Sequence, residues 1–365
     1  MNGSDYSEKE SVLTLSRAIG SITRRTWSIM EVCGGQTHAI AEYALEDMLP
    51  PAITLLHGPG CPVCVTPGSV IDHAVGIALN EDIILATFGD MMRVPGSGYD
   101  LAAARALGAD IRVMYSPLDA LALAASDKSK DVVFLAVGFE TTLPAHLGAL
   151  REAIRRGLDN FFLLTSFFAV APVMDALLSD APCAVDGFLG AGHVCAVTGL
   201  SAYYPMVARY QRPVVVTGFT PSDLLYGIYH LVRLLESGSP AVFNAYKRAV
   251  AEEGNPLARL LIGDMLERCD GEWRGLGIIP QSGFKLKESL AAYDARVKYA
   301  GYMAKASRTT ADNCIAGEIM RGRRQPADCI SFGSSCSPAH PLGAPMTSAE
   351  GACSARYRYR SNSIH

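Results

Sequence analysis

Residues 53–64 read Ile-Thr-Leu-Leu-His-Gly-Pro-Gly-Cys-Pro-Val-Cys. A short apolar run with β-branched members, cut off by Gly-Pro-Gly, predicts a buried strand that runs straight into a turn. The pattern recurs along the chain. The run 29–32 stops at Cys33-Gly-Gly, 83–88 stops before Asp90 and Arg93, 132–137 before Gly138-Phe-Glu140-Thr-Thr142, and 185–189 before the segment from Gly190 to His193. Further runs at 111–115, 161–165 and 214–217 complete the predicted strands, and apolar residues fall at helical spacing over 71–79, 101–107, 118–124, 147–154 and 173–178. Strands alternating with helices predict an α/β fold with parallel sheets, and this many strands predict two such sheets forming a cleft. In open parallel sheets ligands bind beyond the carboxyl ends of the strands. Cys33, His38, His57, Cys61, Cys64, Glu140 and His193 fall at or just beyond those ends. The plainer alternative is that Gly and Pro turn the chain while polar residues such as Thr141 and Thr142 cap helices.

Pro221 and Asp223 open a helix expected to reach about residue 237, and a further helical region is expected over 241–266, interrupted near Gly254 and Pro256. After Cys269 the sequence carries scattered Gly, Pro and Ser, a basic turn at 321–324 and little strand pattern. Such a segment needs something other than a large apolar core to hold it, and a metal cluster would serve. The expected organisation is an N-terminal segment, 1–48, packed with the C-terminal unit; α/β regions at 49–130 and 131–265; and a loop-rich iron-sulfur unit at 266–365.

Composition narrows the function. Of 365 residues, 49% are hydrophobic and 19% charged, enough apolar material for buried cores and too little charge for a disordered chain. A formal charge of -4 offers no broad basic surface, so nucleic acid is not an expected partner. Apolar runs such as 83–88 fall far short of the roughly 20 residues that cross a bilayer, and the first thirty residues lack the cationic start and apolar block of a secretory signal. A cytoplasmic protein is expected. In a reducing compartment its ten cysteines point to metal ligation or thiol chemistry rather than lasting structural disulfides.

Cys61 and Cys64 form a C-x-x-C pair, a spacing at which two thiols can close a small disulfide or share a metal. A zinc site there would need further ligands, for which Cys33, His38 and His57 are the nearest candidates; inert packing is the third option. Cys33, ahead of two glycines, offers a soft thiolate suited to low-valent iron or copper, or simply a small buried residue ending a strand. His38 could be a ligand, a proton donor or a cap. Cys314, Cys329, Cys336 and Cys353 match in number the thiolates of one cubane cluster or one zinc ion, and their long, irregular spacing favours the cluster. Cys183, Cys195 and Cys269 read as packing residues.

Taken together, MEVCGGQTHAI (30–40), HGPGCPVCVTPG (57–68), TFGDMMRVPGS (87–97), YSPLDAL (115–121), VGFETT (137–142), DGFLGAGHV (186–194), WRGLGIIPQSG (273–283) and SAEGAC (348–353) resemble the HypD family of hydrogenase formation factors, over nearly the whole chain. The resemblance implies a redox-active scaffold, rather than a stand-alone metabolic enzyme, that works with HypC and HypE to assemble the iron centre of nickel-iron hydrogenases with its cyanide and carbon monoxide. It makes Cys33 the iron-holding thiolate. It makes Cys61 and Cys64 a thiol/disulfide pair close to Glu140 and His193, with His38 in the same motif as Cys33, and Cys314, Cys329, Cys336 and Cys353 the ligands of a [4Fe-4S] cluster. The rival from another class is a free-standing iron-sulfur-dependent thiol-disulfide oxidoreductase, which would not need Cys33. The chain departs from the family pattern in places. Gln36 stands where members often have a histidine, and Ala191-Gly192-His193-Val194-Cys195 replaces a Pro-Gly-His-Val-Ser pattern. Ala316 and Pro345 stand where cysteines are often found.

Overall fold

A computed structural model describes residues 3–302 and 314–359. Within the cysteine-rich unit, 303–313 and 360–365 lie outside the described residues. The strands are β1 (Trp27–Glu31), β2 (Ile53–His57), β3 (Ile83–Thr87), β4 (Ile111–Val113), β5 (Asp131–Gly138), β6 (Phe161–Phe168), β7 (Gly187–Ala191), β8 (Val214–Thr217), β9 (Val242–Asn244), β10 (Leu266–Trp273) and β11 (Gly277–Leu286). They form two sheets. The first runs β2-β1-β7-β8-β9, parallel throughout; the second runs β10-β11-β6-β5-β3-β4, parallel except for β10 and β11. The expected α/β fold with two largely parallel sheets is present. Each sheet takes strands from both the 49–130 and the 131–265 stretches, so the chain crosses between them.

The central strands explain why the sheets are parallel and buried. β6, Phe-Phe-Leu-Leu-Thr-Ser-Phe-Phe, is buried along its whole length, and β5 along all but its first residue. Strands covered by helices on both faces need this continuous apolar character rather than alternation. The crossover helices begin where local chemistry favours them: Ser116 and Asp119 form a reciprocal cap for Pro117–Ser126, and Thr220 and Asp223 do the same for Pro221–Ser237.

Two expectations are corrected. The part of 241–266 ahead of the expected interruption is not helical but holds the edge strand β9; the helix runs only over Pro256–Met265, capped by Asn255. The residues from 266 to 286 form an antiparallel hairpin, docked on β6 through Phe284 and Gly283, where little strand pattern was expected. Its signal was hidden by Pro280 and by a register shift between Cys269 and Gly271, opposite Gln281 in the left-handed region. No helix among the described residues is long and apolar enough to cross a membrane.

Candidate thiol and metal site

Spatial strand order assembles the first site. Because β1 lies between β2 and β7, with β8 beyond, the loops after these four strands are neighbours although far apart in sequence. The loop after β1 supplies Cys33, that after β2 supplies Gly60, Cys61 and Cys64, that after β7 supplies His193, and that after β8 supplies Phe219. Cys33 takes an extended conformation as the residue before the helix Gly34–Glu42. Its sulfur lies 3.4 Å from His193 Nε2, and the His193 ring stacks on Phe219 with centroids 4.8 Å apart. The Gly34 N–H donates to the Gly60 carbonyl at 2.8 Å. A Cβ at Gly60 would overlap the Cys33 backbone nitrogen, so only glycine lets the Cys61 loop press this closely against Cys33.

Cys61 and Cys64 are joined as a disulfide across the short helix Pro62–Val65, with Cα atoms 5.2 Å apart. The Cys64 N–H donates to Cys61 Sγ at 3.3 Å. Both face a cavity whose wall also includes Thr37, Gly60, Ala316, Ile319, Pro345 and Glu350. Arg274 fastens the far end of this loop, donating to the carbonyls of Thr66 and Pro95 at 2.7 and 2.6 Å.

The electrostatics favour neutral groups. Burial pushes the Cys33 thiol well above its ordinary range, with the carboxylates of Glu31 and Glu350 adding to it and the N–H groups of Gln36 and Gly35 opposing. Burial lowers His193 to about 4. Glu140, beyond the end of β5, is lifted by burial to about 7, although the Val170 N–H donates to its carboxylate at 3.1 Å. Glu140 does not touch Cys33 directly. Both act on the buried Tyr203, whose hydroxyl accepts the Cys195 thiol at 3.6 Å and whose pKa is raised by burial, with Cys195, Glu140 and Cys33 adding to it.

His38 faces the other way. Its Nδ1 lies 3.2 Å from the Ala349 carbonyl and its Nε2 3.2 Å from the Tyr359 hydroxyl, so it ties its helix to the C-terminal segment rather than joining Cys33. Gln36 donates to the Gly190 carbonyl at 3.1 Å, bridging the loop after β1 to β7. Asp90 and Arg93, from the second sheet, hold the same C-terminal segment through the Ser348 hydroxyl and the Pro338 carbonyl, each at 2.7 Å.

The four C-terminal cysteines come together although their spacing is irregular. Cys314, Cys329, Cys336 and Cys353 line one cavity of roughly 360 Å³, including its open mouth, with Ile315, Phe332, Leu342 and Met346. Burial raises the Cys353 thiol, and the nearby thiols of Cys314, Cys336 and Cys329 raise it further. Cys314 Sγ occupies the space a side chain at Gly343 would fill, and the Leu342 N–H donates to Cys336 Sγ at 3.4 Å. Among the described residues no group of three or more His, Cys, Asp or Glu is arranged to hold a metal ion. The donor set nonetheless suits a thiolate-bound group: four sulfurs, apolar walls, and a backbone N–H aimed at one sulfur. Ala316, Ile319 and Pro345 line this cavity and the Cys61–Cys64 cavity alike, forming a common wall.

Sequence reasoning passed over Glu31 and Glu350 and weighed His57 only as a zinc ligand. The signal was present in two cases: Glu31 and His57 are polar residues closing otherwise apolar strands, a placement that calls for buried partners.

A family model described as "Hydrogenase formation hypA family", HypD, matches residues 10–360. The chain is 43% identical over 351 residues to the hydrogenase maturation factor HypD of Rhodobacter capsulatus, covering 95% of this chain and 93% of that protein. It is 43% identical over 343 residues to the HypD of Azotobacter vinelandii, covering 92% and 90%. It is 42% identical over 337 residues to the HypD of Escherichia coli strain K12, again covering 92% and 90%. Matches of this extent, carried by a fold that gathers the motif cysteines at adjoining strand ends, show that the chain belongs to the HypD family of hydrogenase maturation factors.

Proposed function

We propose that the chain is a redox-active assembly scaffold for the iron centre of a nickel-iron hydrogenase, working in the cytoplasm with HypC and HypE. Cys33 receives the iron destined to carry cyanide and carbon monoxide, with HypC contributing further ligands. Cys61 and Cys64 act as a thiol/disulfide pair, and Cys314, Cys329, Cys336 and Cys353 hold a [4Fe-4S] cluster. The observation that carries this reading is the contact of the Cys61 loop with the Cys33 backbone, on a cavity that shares a wall with the four-cysteine cavity.

The residues divide the work. Iron binding at Cys33 must displace the thiol proton, and His193, whose ring burial keeps neutral, is the base placed to take it in the tautomer that leaves Nε2 bare. The soft thiolate suits iron bearing strong back-bonding ligands. Opening the disulfide breaks one S–S bond and consumes two electrons and two protons, leaving two thiols. When bound, the cluster would supply those electrons singly across the wall of Ala316, Ile319 and Pro345.

The test is infrared spectroscopy of protein purified anaerobically with a HypC partner. Cys33→Ala is expected to keep the visible absorption of the cluster and lose the cyanide and carbonyl bands. Bands that persist unchanged would end the assignment of Cys33, and disulfide reduction proceeding as the sole activity would favour the oxidoreductase reading.

A further inference from the structure

Behind Cys33 lies a buried polar cluster that the thiol chemistry does not use. Glu31 ends β1 fully buried, and His57 ends β2 with only 6% exposure. Glu31 Oε2 accepts the Cys33 N–H at 2.9 Å; its Oε1 accepts the Thr37 hydroxyl and the His57 Nδ1–H, the latter at 3.0 Å. Glu46 stands 3.9 Å from His57 Nε2 and is itself paired with Arg356 at 2.7 Å. A carboxylate taken out of water is costly unless its lone pairs are matched. Here they are matched by the two loops that carry the sulfurs. The main chain repeats the cross-link, with the Gly58 N–H donating to the Glu31 carbonyl at 2.9 Å and the Gly34 N–H to the Gly60 carbonyl at 2.8 Å.

We infer that Glu31 and His57 form a hydrogen-bonded clamp that sets the position of Cys33 against the Cys61–Cys64 loop, making both of them positioning residues of the iron-receiving site. One carboxylate grips the Cys33 backbone with one oxygen and, through His57 with the other, the strand that leads into Cys61. Loosening it would let the loop after β1 move independently of the loop after β2. The consequence for iron rests on the scaffold reading proposed above; the geometric claim is separable from it. Loss of a partner that orients a metal ligand typically weakens the site about 10–100-fold.

The test uses the full chain as Glu31→Gln, His57→Gln and the double variant. Two quantities are read: the rate at which iodoacetamide alkylates Cys33 in folded, iron-free protein, mapped by peptide mass, and iron occupancy from the infrared bands. Each single variant is expected to alkylate at Cys33 about tenfold faster and to lose about tenfold in iron retention. The double variant should be no faster than the faster single one, because the two side chains act as a unit. Should either glutamine variant fail to fold, Glu31→Asp carries the same test by keeping the charge and shortening its reach. Wild-type alkylation in the folded variants, or independent effects that multiply in the double variant, would overturn the clamp. If the parent protein never takes up iron while the variants still expose Cys33, the clamp stands and the scaffold reading falls.

Discussion

The two sulfur sites of this chain are held in place by different means. Cys33 and the Cys61–Cys64 loop inherit their positions from parallel strands whose last three residues are buried and whose register is continuous from Trp27 paired with Ile53 to Glu31 paired with His57. The four-cysteine cavity is lined by no residue of a sheet strand. From residue 314 to 359 the regular structure is confined to Ala316–Met320, Pro326–Asp328, Ala344–Met346 and Ala352–Tyr359, joined by turns and by the single bridge between Phe332 and Cys336. Short helices and local turns contribute little stability alone. The contrast teaches that the first site is built by folding, whereas the second, on the cluster reading proposed above, depends on what its sulfurs hold.

The largest effect expected from this contrast follows removal of the proposed cluster. Oxidative loss of the cluster, or Cys336→Ser, should lower amide-exchange protection across 326–353 on the order of a thousandfold while leaving β1 and β2 unchanged. Equal protection in both regions would erase the difference. Next comes Trp273→Ala on the sheet side. The Trp273 indole is 1% exposed, stacks on Phe139 and donates to the Ser282 hydroxyl at 2.7 Å. Its loss should cost about 4 kcal/mol in denaturant unfolding, with a cysteine cavity that still takes up the proposed cluster.

Glu140 sharpens the comparison through pH. Its folded pKa of about 7 lies above the ordinary 4.5, so the folded state binds the proton more tightly. Its contribution to stability is therefore fully present below about pH 4.5 and is lost as pH rises through 7, a difference on the order of 3 kcal/mol. Glu140→Gln should flatten urea stability between pH 5 and 8; an unchanged slope would mean that the carboxyl is solvated. The smallest expected effect is that of Gly60→Ala, about 2 kcal/mol from overpacking against the Cys33 backbone, together with faster reduction of the Cys61–Cys64 disulfide by dithiothreitol. Cluster absorbance should not change.

Much of the first site was legible because its signals are local. Short apolar runs ending in Gly, Pro and Cys mark strand ends, and the run ending at Cys33 and the run ending at His57 are adjacent strands in the sheet. What could not be read was the order of strands in space. Nothing in the run 29–32 says that it lies between 53–57 and 187–191, and that placement brings His193 to Cys33. The β10–β11 hairpin was missed because Pro280 and the left-handed Gln281 interrupt a pattern that otherwise alternates only loosely. The gathering of Cys314 with Cys353 was suggested by the number and irregular spacing of the cysteines and by the family resemblance, since the turns between them carry no periodicity. His38, quoted in the same motif as Cys33, points to Tyr359 because a helix sends neighbouring residues to different faces.

The central claim is that the disulfide and the four-cysteine cavity form one redox unit across a shared wall. It is tested most directly by counting thiols at Cys61 and Cys64 after cluster-loaded protein is reduced with dithionite under argon. The account predicts two new thiols for every two electrons taken up, and none in Cys353→Ser, whose disulfide should remain closed. Equal thiol release in the two proteins would contradict it.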